Sequence, residues 1–231
     1  MKSLVFRSAG VLRTWGAALA VSGSLLASPA AWADGVQALE QFVQHARAGQ
    51  ARFTQVVTTP GAQGQAGRSK TSSGQFAFQR PGQFRFDYTK PFEQTIVADG
   101  QTLWLHDVDL NQVTARPQQQ ALDASPAAIL AAATSLQALE KDFEISAEPD
   151  QDGQQWIRAV PRTPQGQIQS VRMGFAPAAQ AGQAPLLRTL EMNDSFGQHS
   201  LIRFEQFTLS PSLPASRFEF RPPEGAEVLR P

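Results

Sequence analysis

Cysteine is absent from all 231 residues. Its absence excludes a disulfide framework, a thiol nucleophile and a lipid attached to an N-terminal cysteine of a processed chain. Aromatic rings with a polar group are scarce: one Tyr and four Trp stand against 15 Phe, and bare rings suit a dry apolar surface. The three histidines, His45, His106 and His199, are scattered without the spacing of a zinc site. Net charge is missing as well, because 20 Lys+Arg balance 20 Asp+Glu. Nucleic acid, which demands a basic surface, is therefore excluded as a partner.

What is present begins with an address. Lys2, Arg7 and Arg13 precede an apolar run from Trp15 to Ala27, and Ala31-Trp32-Ala33 then offers a cleavage site. The run is only about a dozen residues against roughly 20 for a membrane span, so residues 1–33 read as a secretory signal that is removed, leaving a soluble chain from Asp34. Three of the 20 basic residues and none of the acidic ones lie in 1–33, so the mature chain carries a net charge of −3. Residues 34–231 suit one domain with a sizeable core.

Along that domain, Val36, Leu39, Val43 and Ala46 fall at helical spacing with Phe42 beside them, and Gly49 offers a stop. Strand-like ARFTQVV follows, and the polar, glycine-rich residues 58–73 read as a long hairpin loop. From Gln75 onward short β-like runs recur, with turns at Pro81-Gly82, Lys90-Pro91 and Asp99-Gly100, the pattern of an antiparallel meander. Ser125 and Pro126 then open a helix toward Ala133, and Leu136 to Leu139 suggests a second short turn. Strands resume from Phe143 and end in the terminal Phe218-Glu219-Phe220 run. The predicted class is mainly β (α+β): one strongly curved sheet with helices laid across its concave side.

Enzymatic constellations are weak. Gly67 to Thr71 lacks the second glycine of a nucleophile elbow. Asp107 to Gln112 imitates the start of a calcium loop, but Gln112 stands where glycine is required and Gln118 where the bidentate glutamate should be, so a hairpin turn is expected. No glycine-rich phosphate cradle follows a strand. No catalytic residue, cofactor or metal is therefore assigned.

The distinctive stretch is FAFQRPGQFRFDY, residues 76–88. Counting alternate residues, Phe76, Phe78 and Arg80 share one strand face, and Phe84, Phe86 and Tyr88 share another after the turn. Periodicity alone leaves two readings open, an ordinary core strand whose arginine snorkels at the turn and a cationic group aimed into an apolar space.

Together with FTQ at Phe53 to Gln55, the Asp99-Gly100-Gln101-Thr102-Leu103-Trp104 segment and the Phe218 to Gly225 tail, this stretch resembles the LolA family of periplasmic carriers of outer-membrane lipoproteins. The resemblance implies an incomplete, half-open antiparallel β-barrel with an α-helical lid over a hydrophobic cavity. Arg80 falls on the family's latch arginine, expected to bond lid backbone near Val43, Leu130 and Ala131. Leu39, Val43, Phe53, Phe76, Phe78, Phe84, Phe86, Leu103, Ile129 and Leu130 are the expected acyl-chain lining. The implied partners are an acylated lipoprotein cargo, an inner-membrane ABC-type lipoprotein-releasing transporter and an outer-membrane lipoprotein receptor, with the carrier acting as a monomer in the periplasm. A carrier or envelope sensor for another amphiphile, such as a glycolipid, is the alternative on the same scaffold, and an esterase is a more distant one.

Overall fold

Phenylalanines at every second position commit one face of each early strand to the interior, and the sheet curves over that face. The structure is a computed structural model that describes residues 34–61, 66–118, 133, 135–163, 167–180 and 182–231, all of them in the unit Ala31–Pro231.

Helix α1 (Asp34–His45) leads into the long hairpin β1 (Ala48–Thr59) and β2 (Arg68–Gln79). The meander continues through β3 (Gln83–Lys90), β4 (Gln94–Ala98), β5 (Thr102–Asp107) and β6 (Gln112–Pro117). After a short helix α2 (Leu136–Asp142), a second meander runs through β7 (Phe143–Gln151), β8 (Gln154–Pro161), β9 (Ile168–Ala176), β10 (Leu186–Asp194) and β11 (His199–Ser210). A 3₁₀ turn (Ala215–Arg217) precedes the last strand, β12 (Glu227–Leu229).

All twelve strands form one sheet in the order β12-β6-β5-β4-β3-β2-β1-β11-β10-β9-β8-β7. Pairing of β1 with β11 joins the two meanders down the middle. β7 and β12 are the two edges, so the sheet is open rather than closed into a barrel. The two described helices α1 and α2 pack on the face that carries the phenylalanines. Leu39, Phe42 and Val43 of α1 and Leu139 of α2 are buried in the same apolar cluster as the strand phenylalanines. Ser135 caps α2, its hydroxyl accepting from the Ala138 amide at 3.1 Å.

Three local expectations are corrected. Half of the predicted loop 58–73 is strand, because β1 runs to Thr59 and β2 starts at Arg68. Their ladder pairs polar residues such as Thr58 with Ser69, whose hydroxyls lie 3.0 Å apart. Main-chain pairing with β1 outweighs the low strand propensity of that stretch. Gly49 does not stop the helix. It lies inside β1, where an added Cβ would sit 2.8 Å from the Phe78 ring and 2.9 Å from the Thr208 carbonyl oxygen, so its missing side chain permits close packing. Finally, Phe218 to Phe220 is not a strand. Phe218 is buried, and Phe220 packs on the Trp104 and His106 rings at 5.6 and 5.8 Å. Beyond Pro222 and Pro223, β12 joins the β6 edge in parallel, the one parallel pair in the sheet. The predicted helix from Pro126 toward Ala133 lies outside the described residues except for Ala133.

Candidate functional site

The concave face is built from strand parity. Phe53 on β1, Phe76 and Phe78 on β2, and Phe84 and Phe86 on β3 face inward and are buried. Register stacks them: Phe76 lies opposite Phe86 and Phe78 opposite Phe84, with the Phe76 and Phe86 centroids 4.6 Å apart. Phe53 meets Phe86 edge-on at 5.2 Å. From α1, Phe42 reaches Phe78 at 6.0 Å, Phe175 at 5.6 Å and Phe207 at 6.2 Å. The helix is thus held to the sheet by rings together with the aliphatic Leu39 and Val43.

Arg80 directly follows β2 and continues the parity of Phe76 and Phe78, so its side chain enters this apolar region. Its Nε donates to the Ala46 carbonyl oxygen at 2.9 Å, and Nη1 donates to the Ala133 carbonyl oxygen at 2.6 Å. Its backbone amide donates to Arg47 O at 2.8 Å. Carbonyls just past a helix end have no intrahelical partner, which makes Ala46 an available acceptor. The guanidinium carbon lies 5.6 Å from the ring centroids of both Phe42 and Phe78. Burial among these rings pulls the Arg80 pKa down to about 10, so it remains a cation at any physiological pH. One side chain thereby ties the segment after α1 to the segment before α2.

Of the expected lining, Leu39, Val43, Phe53, Phe76, Phe78, Phe84 and Phe86 share one buried cluster, and Leu103 packs partly buried against it. Ile129, Leu130 and Ala131 lie outside the described residues. The acceptor beside α1 is Ala46, one turn beyond Val43. Sequence reasoning did not assign the opposite wing, where Ile157, Met173, Phe175, Leu187, Leu190, Ile202, Phe204 and Phe207 complete the same cluster. Alternation could have found Ile202 and Phe204. Phe207 breaks the period, because Gln206 takes a positive φ of 52° and the β1–β11 register shifts there. Among the described residues, no group of three or more His, Asp and Glu side chains could hold a metal ion, and no helix is long and apolar enough to cross a membrane. Asp107 to Gln112 forms the turn between β5 and β6, with Asp107 accepting from the Leu110 amide at 3.1 Å.

The family model for the outer membrane lipoprotein carrier protein LolA matches residues 44–221, from the end of α1 through the tail. This chain belongs to the LolA family. Among LolA relatives, the outer-membrane lipoprotein carrier protein of Albidiferax ferrireducens is 55% identical over 200 residues, covering 87% of this chain and 92% of that protein. The protein of the same name from Methylibium petroleiphilum is 49% identical over 217 residues, covering 94% and 97%. Among solved structures, a conserved protein from Thermus thermophilus superposes with a TM-score of 0.50 at 12% identity, over 86% of this chain and 99% of that one, a likeness of fold alone.

Proposed function

We propose that this chain is a periplasmic lipoprotein carrier. It takes up the acyl chains of a lipoprotein released by an inner-membrane ABC-type transporter, shields them across the aqueous periplasm and delivers the cargo to an outer-membrane receptor. Residues 1–33 are the signal that directs it there, and its work involves no covalent chemistry.

The need for such a carrier follows from solvation. At about 0.8 kcal/mol per CH₂, a single sixteen-carbon chain costs on the order of 12 kcal/mol to expose to water. A curved sheet lined with phenylalanine can exchange lid-to-sheet contacts for acyl-to-sheet contacts with little change in burial.

The observation that carries this reading is the Arg80 guanidinium, bonded to Ala46 and Ala133 carbonyls beside a buried cluster of rings. It closes the empty state by hydrogen bonds that cargo can break at a cost of a few kcal/mol, so loading is reversible and needs no nucleotide at the carrier. Membership in a family whose relatives are named as lipoprotein carriers supports it independently. The test is incubation of the purified protein with spheroplasts making labelled lipoproteins. Release of acylated lipoprotein into the supernatant, bound to this protein, is expected. Extraction of free lipid without polypeptide would replace the reading with that of an amphiphile carrier.

A further inference from the structure

We propose that the concave face carries a second subsite, formed by Gln55, Tyr88 and Ser200, that receives the ester- and amide-bearing head of an acylated polypeptide. The inference rests on the carrier reading and places the polar end of the cargo within it.

The apolar face does not run the whole length of the strands. Toward the β1–β2 tip, inward positions turn polar along a diagonal: Phe53 is followed by Gln55 on β1, Phe86 by Tyr88 on β3, and Ile202 is preceded by Ser200 on β11. On β2, Phe76 gives way to Gly74 and Ser72. Register staggers them by one inward position each: Tyr88 lies level with Gly74 and Phe53, Gln55 with Ser72 and Ile202, and Ser200 with Val57. A hydrogen-bonded chain crosses this boundary: Tyr88 Oη donates to Gln55 Oε1 at 2.9 Å, and Gln55 Nε2 donates to Ser200 Oγ at 2.8 Å.

Beyond the chain lies a groove of about 780 Å³ that shares Gln55 and Tyr88 with it and is flanked by Lys70, Gln94, Phe92 and Leu110. Phe92 and Leu110 are exposed at the rim, with the Lys70 ammonium 4.9 Å from the Phe92 ring centroid. The volume is in the usual range for a ligand site. Tyr88 belongs to both zones, since its ring packs edge-on against Phe53 at 5.0 Å while the residue also lines the groove.

An amphiphilic surface selects an amphiphile. Where acyl chains join a lipid-modified cysteine, two esters and an amide present carbonyls that lose free energy if buried without donors. Gln55 has a second amide hydrogen and Ser200 a rotatable hydroxyl hydrogen, which are donors of the required kind at the edge of the phenylalanine zone. Tails then lie among the rings, carbonyls meet Gln55 and Ser200, and the peptide leaves through the groove.

The test compares two probes on the mature protein purified from the periplasm: an N-palmitoyl-S-dipalmitoylglyceryl-cysteinyl peptide, and palmitate alone. Gln55→Leu and Tyr88→Phe should each weaken the lipopeptide several-fold, and the double variant about tenfold or more, relative to their effect on palmitate. Equal losses on both probes would mean a structural role, and undiminished lipopeptide binding would mean no head contact. Either result overturns the subsite while leaving the carrier standing. A parent protein that binds no lipopeptide would overturn the carrier reading itself.

Discussion

Replacing Arg80 with leucine tests the latch most directly. Among the described residues the guanidinium makes two bonds to backbone carbonyls, at 2.9 and 2.6 Å, and charged hydrogen bonds of this kind contribute about 1.5–3 kcal/mol each, or roughly 3–6 kcal/mol for these two. Against this stands the cost of drawing the cation out of water. Its pKa falls from 12.5 to about 10, which at about 1.4 kcal/mol per unit offsets roughly 3 kcal/mol. The net closure term is thus on the order of 0–3 kcal/mol, up to about a hundredfold in the balance between closed and open states. A latch of that size is strong enough to favour the empty closed form and weak enough for cargo to displace.

Arg80→Leu removes the term and adds an apolar side chain to the space the acyl chains would share. Loading from the inner membrane should stay within a factor of about three, while transfer from the preloaded carrier to outer membranes should slow roughly 10- to 100-fold. The assay follows labelled lipoprotein moving from purified loaded carrier to membrane vesicles over time. Transfer at the parental rate would refute the argument, and so would a loss confined to loading. Arg80→Lys should fall between the two, because an ammonium lacks the planar fork that reaches both carbonyls.

Further outcomes follow from the same packing. Gly74→Ala places a methyl group against the Asp87 carbonyl in the row between Phe53 and Tyr88, and should cost about 2 kcal/mol or more, read as a Tm drop of roughly 5 °C or more. Phe204→Ala, in the wing that local sequence did not reveal, should cost about 3–5 kcal/mol by thermal or denaturant unfolding, and a change below 1 kcal/mol would mean the cluster is not dry. The single tyrosine offers a clean titration: burial pushes Tyr88 from 10.0 up to about 12. Phenolate absorbance should therefore appear near pH 12 in the folded protein and near 10 in the unfolded one. Because the unfolded chain loses this proton first, the Tyr88 contribution to stability is intact below pH 10 and declines as pH rises toward 12, a decline that Tyr88→Phe should remove.

Local chemistry alone determined a good part of this molecule. Alternate phenylalanines from Phe76 to Phe86 dictate which face is buried, because successive side chains on a strand point to opposite sides. The same count aims Arg80 inward. Gly82 and Gly100 supply the positive φ, 76° and 104°, that two of the turns require. Helix α1 is written in the spacing of Leu39, Phe42 and Val43. Other features belong to tertiary structure because they depend on partners distant in the chain. Arg68 to Ser73 becomes strand only because β1 is there to pair with it, and Phe207 faces inward only because a bulge at Gln206 resets the parity set by Phe204. Which carbonyls Arg80 meets is settled by how the segments around Ala46 and Ala133 converge, 34 and 53 residues away. The polar boundary at Gln55, Tyr88 and Ser200 likewise joins strands that are remote in sequence, since register is a property of the assembled sheet rather than of any one strand.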